Sequence, residues 1–517
     1  MGSSNVVRAL VPLLVGMAFF ACGGASNRGG DDGPASGGGA AAATGGSGMS
    51  GATGGASGAN GGTNAGGGGG GGSDAGGTGA SGGSDAGGGA SGAAGSGSMG
   101  PCRGLACDQT TCTMGSCTQM PCASGTSTTV SGAVYDPAGK TPLYNVVVYV
   151  PDGPVPPFPD GASCARCGES EPNSITSTLT GADGRFVLPD VPVGGNIPLV
   201  IQIGKWRRQT TIPDVRRCVD TRLTDIEQMS LPSKKSEGDI PLIAITTGGG
   251  DSMECLPRRM GIEDAEFTTD TGDGRVHLYA GTDSGMSIAT KSFDSGTAFT
   301  HSDNLWSGLD ALRRYDIVIL SCEGDSNENP RPSGSRQAVF DYTAIGGRLF
   351  ASHWHHRWIS AGPAPLPDVG TFADRDNPDT PTTATVNMAF PKGQALAEWL
   401  VNVGASTTRG EMEVIESRDN VQAVNPMYAT EWMRVVNVNE ASTPSIQYFS
   451  FDTPLTVEAS LQCGRVAFTD LHVSNTTDAA QTSDSPGDPF PAHCQVRDLT
   501  AQEKAVEFML FDLSSCL

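Results

Sequence analysis

Basic side chains are scarce in this sequence of 517 residues: 32 Lys and Arg stand against 55 Asp and Glu, leaving a formal net charge of -23. A phosphate-backbone partner needs clustered Lys and Arg to release counterions, so nucleic acid is excluded and the acidic surface serves solubility. Long apolar runs are missing too. Beyond Phe20 no segment approaches the ~20 residues that a helix needs to cross a bilayer. The signatures of nucleotide and zinc sites are equally thin. Gly248-Gly249-Gly250 follows a strand signal but lacks the G-x-G-x-x-G order and the P-loop lysine. Cysteines 102, 107, 112, 117 and 122 recur every five residues, whereas zinc sites favour C-x2-C pairs at a set distance.

What is present begins with an export signal. Arg8 precedes a mostly apolar run over residues 9–20, too short to span a bilayer and suited to the h-region of a signal peptide. Ala21 before Cys22 resembles a bacterial lipobox, which implies a signal peptide over 1–22 and an acylated Cys22 as the mature N-terminus. A plain cleaved signal and an uncleaved anchor are the alternatives. The expected location is a bacterial cell envelope, lipid-anchored, at the outer membrane. Residues 23–100 hold about half of the 73 glycines, with Ala, Ser, Thr and Asn. Such composition cannot bury enough apolar surface to offset ordering entropy, so a disordered Gly/Ser/Ala-rich linker is expected. Residues 101–127 form a Cys-rich segment. Fourteen cysteines in an exported chain read as a disulfide framework. Five is an odd number, so one of that cluster is expected to pair outside it, with Cys164, Cys167 or Cys218. Cys463, Cys494 and Cys516 are expected to lock the C-terminal segment, with Cys255 or Cys322 as partners.

Between residues 128 and 215 short apolar runs at 130–135, 145–150, 186–188 and 198–203 are separated by turn residues, including the hairpin signal Asp183-Gly184. That spacing predicts a small β-sandwich. The stretches 130–136, 142–148 and 180–188, followed by Val191-Pro192-Val193-Gly194, resemble the carboxypeptidase regulatory-like domain. The resemblance implies a transthyretin-like sandwich, akin to starch-binding folds, that serves as an accessory and sometimes carbohydrate-binding module. Trp206 and Arg207 are the candidate binding residues of this domain: an exposed Trp beside Arg can stack on a sugar ring or receive an acidic group. A buried Trp at a strand end is the plainer reading.

Residues 239–517 alternate strand and helix signals, the mark of an α/β layer fold. Two apolar runs, 316–321 and 348–352, each end in chemically capable residues. The first stops at Cys322-Glu323-Gly324-Asp325 and the second at His353-Trp354-His355-His356. Runs of this kind read as neighbouring parallel strands buried on both faces, and ligands gather outside the carboxyl ends of such strands. Residues 315–322, 346–353 and 463–472 resemble three strand-and-turn segments of the class I glutamine amidotransferase-like fold, of the trehalose-utilisation type. The resemblance implies a flavodoxin-like α/β domain. In that family the second segment carries a nucleophilic Cys at a strand-to-helix elbow and the third a His that activates it. Here His353 stands at the elbow and His472 matches the third-segment His, so the family nucleophile is missing and amide hydrolysis is not expected.

Nucleophilic, general acid–base, metal and simple binding chemistry all remain open for this rim. Cys322, His353 and His472 are the candidate catalytic residues, with Cys322 as a displaced nucleophile activated by His. Glu323 and Asp325 are candidate binding residues. His353, His355 and His356 are candidate metal ligands, since imidazole and carboxylate suit Zn, Fe or Mn, although no cofactor is required by the sequence. The leading expectation is a multi-domain, membrane-tethered binding or scaffold lipoprotein with an extracellular carbohydrate or protein ligand. The competing one is an exported hydrolase or sugar-modifying enzyme that uses the histidine cluster, with or without a divalent metal.

Overall fold

Runs of β-branched and aliphatic residues with no polar side chain can only be satisfied between two covering layers, and such runs set this architecture. In the computed structural model the described residues all belong to one compact unit. The structure describes residues 119–515 except 124, 165–173, 286, 328–330, 333, 376–380, 416, 437–443 and 474–483. The lipidation expected at Cys22, the linker, and cysteines 102 to 117 therefore lie outside the described residues.

The first region carries two sheets. β1 (Thr129–Ala133) sits between β4 (Arg185–Leu188), antiparallel to it, and β7 (Asp220–Arg222), parallel to it. The second sheet is antiparallel in the order β3-β2-β5-β6, from Ser174–Leu179, Val147–Pro151, Gly194–Ile203 and Trp206–Val215. Val130, Val148, Leu188, Ile197 and Ile201 from these strands are fully buried. Their core continues without a break into the residues that follow. Tyr144 stacks on Phe508 with centroids 5.7 Å apart, and the Trp399 indole donates to the Pro142 carbonyl at 2.7 Å.

The larger sheet has 11 strands. Its parallel part comprises β8 (Ile243–Thr246), β10 (Val276–Ala280), β12 (Ile317–Leu320), β13 (Arg348–Ser352) and β20 (Gly464–Thr469). In space these stand in the order β10-β8-β12-β13-β20, with β9 (Phe267–Thr268) and β11 (Thr300–His301) flanking β10. β12 and β13 pair in parallel, Ile317 opposite Arg348 and Leu320 opposite Ala351, and every residue of both strands is buried. Beyond β20 the sheet turns antiparallel through β19 (Pro444–Thr453), β18 (Thr430–Val436), β15 (Thr382–Val386) and β16 (Glu411–Val414). A separate pair, β14 (Gly370–Phe372) and β17 (Val421–Val424), completes the strands among the described residues.

Helices cover the layer. α1 (Cys255–Arg259) follows β8, α2 (Leu309–Leu312) precedes β12, and α3 (Ser335–Ala344) joins β12 to β13. Gly346, at φ 109°, then turns the chain in a conformation open to glycine. A short 3-10 turn over His353–His356 and α4 (Arg357–Ser360) follow β13, while α5 (Pro391–Asn402) and α6 (Ala501–Ser514) come later. Thr500 caps α6 by accepting from the Glu503 amide, and Glu503 returns a bond to the Thr500 amide. Three disulfides tie the described residues: Cys122–Cys218, Cys164–Cys463 and Cys255–Cys494. Among the described residues no helix is long and apolar enough to cross a membrane.

Trp206 and Arg207 are not surface binders, which corrects the sugar-platform expectation. Trp206 is buried and meets Phe511 of α6 edge-on at 5.9 Å. Arg207 is buried, ion-paired to Asp239 at 2.8 Å, and stacked over Phe158 at 4.0 Å. An indole and guanidinium committed to such packing offer no face to a ligand.

Candidate functional site

The chain leaves β8 toward β10 on one side and returns to β12 on the other, so the crevice where strand order reverses lies at the carboxyl ends of β8 and β12. Cys322 stands there, two residues beyond β12. The turn after β8 lies directly against it: the Gly250 and Asp251 amides donate to the Cys322 carbonyl at 3.0 and 3.1 Å. A Cβ at Gly248 would come within 2.1 Å of that carbonyl oxygen, so close backbone approach is what this glycine serves. From the same turn Asp251 reaches across the rim, accepting from the Ser352 hydroxyl at 2.9 Å and from the Val473 amide at 3.0 Å. One buried carboxylate thereby ties the ends of β8, β13 and β20 together.

His353 begins immediately after β13 with φ 45°, the left-handed region that costs a non-glycine residue about 1 kcal/mol or more. That turn swings the imidazole over the rim, with Nδ1 3.2 Å from Cys322 Sγ and 3.1 Å from His472 Nε2. The three donor atoms of Cys322, His353 and His472 all lie within 4.8 Å of one another, and all three residues are buried. Cys322 is a free thiol that also accepts from the Gly324 amide at 3.3 Å.

Burial, followed by His472, Arg418 and His356, holds the His353 imidazole well below its ordinary pKa, so it is neutral at physiological pH. The Arg418 guanidinium lies 3.4 Å from His472 Nδ1 and can only donate. That contact places the His472 proton on Nε2, where it points at the His353 Nδ1 lone pair. The thiol approaches the same lone pair, so two protons compete for one acceptor. Nearby, burial pushes the Asp470 carboxyl up to about 8, against the lowering effects of His472 and the Asn420 amide.

The histidine triplet does not act as one group, which corrects the expected metal set of His353, His355 and His356. His355 Nδ1 accepts from the Trp358 indole at 2.8 Å, and Nε2 donates to the Ser321 carbonyl at 2.8 Å. Both nitrogens are committed, and burial lowers its pKa to about 4. His356 stacks on Phe372 at 5.8 Å, with Nδ1 at the Ser360 hydroxyl and Nε2 3.4 Å from Asp374. Burial, reinforced by Arg357, lowers its pKa to about 3. His472, 119 residues away in the loop that follows β20, takes their place beside His353.

Glu323 is buried but already satisfied: it accepts from the Thr282 amide at 2.9 Å, Asn327 at 3.0 Å and Arg331 at 2.8 Å. Arg331 in turn covers Trp306 and Trp358. Glu323 is therefore a brace under the rim. Asp325 is exposed and accepts from the Ser326 amide in its own turn. Asp251, Arg418, Asn420 and Asp470 escaped sequence reasoning. Asp251 follows a glycine triplet that offered one hint, whereas Arg418 lies in a loop whose place depends on long-range strand pairing.

No protein-family model matches the chain, and no curated protein matches it either. Solved structures similar to it include a ThuA-like protein from Bacteroides uniformis ATCC 8492, 12% identical over 46% of this chain and 86% of its own, with a TM-score of 0.24. A ThuA-like protein from Parabacteroides merdae ATCC 43184 is 11% identical over 46% of this chain and 82% of its own, with a TM-score of 0.27. A cytoplasmic protein from Salmonella typhimurium is 14% identical over 47% of this chain and 92% of its own, with a TM-score of 0.26.

Proposed function

We propose that Cys322, His353 and His472 hold a divalent metal, zinc by ligand type, and that this centre activates water in an exported hydrolase. The observation that carries the reading is the convergence of one sulfur and two imidazole nitrogens within 4.8 Å, buried, at the carboxyl edge of a parallel sheet. Zinc bonds of ~2.3 Å to sulfur and ~2.0–2.1 Å to nitrogen put tetrahedral ligand edges at about 3.3–3.6 Å. The separations of 3.2 and 3.1 Å are close to those edges. A cation would also remove the competition of two protons for His353 Nδ1, by replacing both. Among the described residues no fourth His, Cys, Asp or Glu joins the group. Three protein ligands with the fourth position left to water is the arrangement of catalytic zinc, and bound water then ionises near neutrality.

The substrate class we take from the sequence resemblances is carbohydrate. The same reading carries the amidotransferase-like assignment of residues 239–517, the sandwich assignment of 128–215, and tethering to a bacterial envelope through acylated Cys22. Purified protein should contain one zinc per chain by elemental analysis and hydrolyse chromogenic sugar esters or glycosides, with both properties lost in His472→Ala. Hydrolysis that survives complete metal removal would instead assign the work to the Cys322 thiol. Absence of both metal and hydrolysis, with glycan binding retained, would return the protein to the scaffold reading.

A further inference from the structure

The turn that carries Asp251 to the rim continues three residues further into a second buried cluster. Cys255 brings its donor atom within 4.8 Å of those of His493 and Cys494, which come from the segment before α6, and Glu254 touches this group through His493. All four are buried, Glu254 completely. His493 Nε2 stands at the centre: 3.0 Å from Glu254 Oε1, 3.3 Å from Cys255 Sγ and 3.6 Å from Cys494 Sγ. The two sulfurs form the Cys255–Cys494 disulfide.

Stability alone does not explain this group. A disulfide needs no imidazole or carboxylate beside it, and burying a carboxylate is costly unless each oxygen is paired. Glu254 Oε2 is buried without a hydrogen-bond partner. On its far side His493 Nδ1 lies 3.3 Å from the Pro489 carbonyl, to which it can only donate. That second contact fixes the ring and leaves Nε2 to face the sulfurs, as metal-ligating histidines are oriented.

We infer that Cys255, Cys494, His493 and Glu254 form a redox-gated zinc site, closed in the disulfide state and open to metal when reduced. Two electrons and two protons from a dithiol reductant convert the Cys255–Cys494 bond to two thiols, and the dithiol leaves as its own disulfide. A zinc ion then displaces both thiol protons and any proton on His493 Nε2, and Glu254, which now touches only His493 of the three, turns toward the metal to supply the fourth ligand. Two thiolates, one imidazole and one carboxylate fill a tetrahedral shell with no position left for substrate, so this site is structural and distinct from the three-ligand centre at Cys322. The two separations from Nε2 to sulfur, 3.3 and 3.6 Å, are already of the size of tetrahedral edges, about 3.5 Å for nitrogen and sulfur on zinc. Reduction has to let the sulfurs part, and the Glu254 carboxylate has to turn toward them.

The full chain carrying His472→Ala isolates this site from the first. Zinc bound per chain, measured after equilibration and desalting under argon, should rise by one equivalent on treatment with dithiothreitol and fall again on re-oxidation. Cys494→Ser should abolish the increment, and Glu254→Gln should weaken zinc binding about tenfold. No increment in the reduced parent, or an equal increment in Cys494→Ser, overturns the inference. Should Cys494→Ser fail to fold, X-ray absorption at the zinc edge of the reduced parent decides the matter. Two sulfurs at about 2.3 Å with two lighter atoms support the site, and a four-sulfur or sulfur-free shell rejects it.

Discussion

At the scale of single residues, Arg418 and His355 show how neighbours decide what a histidine can do. Metal binding through His472 Nε2 requires its proton to move to Nδ1, which the Arg418 guanidinium opposes from 3.4 Å. Arg418→Gln removes both that conflict and a like charge, and should tighten zinc binding about tenfold in a competition titration with a chromophoric chelator. His355 works in the opposite sense. Its folded pKa of about 4 lies below the ordinary 6.5, so the unfolded chain takes up the proton first as pH falls. Its contribution to stability is therefore complete above pH 6.5 and is lost as pH drops toward 4, an effect of about 3 kcal/mol. Thermal unfolding at pH 7 and pH 4.5 should show a smaller loss of Tm in His355→Gln than in the parent. An equal loss would place the acid sensitivity elsewhere.

At the scale of elements, the pieces that were legible in the sequence are those whose pattern is local. The run 348–352 is strand β13 to the residue, and 316–321 encloses β12, because buried parallel strands announce themselves as unbroken apolar runs. The capping pair Thr500 and Glu503, three residues apart, opens α6. Thr500→Ala should cost about 1 kcal/mol in chemical denaturation with an unchanged slope, since only the cap is removed. Elements whose burial comes from distant partners were not legible. β15, β16 and β18 alternate buried and exposed residues and extend the sheet only because β19 turns back antiparallel on β20. The site follows the same rule: Cys322, His353 and His472 could be named from strand ends, yet which histidine joins them depends on the left-handed turn at His353. Trp206 was legible as a strand-end aromatic, but the side of the chain that would cover it was not.

At the scale of the whole molecule, the two small sheets and the large one share a continuous apolar interior, with α6 pressed against both through Phe508 and Phe511. The crossed link Cys164–Cys463 spans a sequence separation of 299 and joins the first region to the start of β20. Replacing both cysteines by Ser should lower stability by about 2–4 kcal/mol, read by denaturant unfolding of the oxidised proteins. This link has a further effect wherever peptidases nick the chain. A single scission anywhere between residues 165 and 462 leaves the two fragments covalently attached, so a nicked molecule keeps its mass in non-reducing electrophoresis and parts only when thiol is added. The bridge makes the protein tolerant of backbone damage over most of its larger sheet.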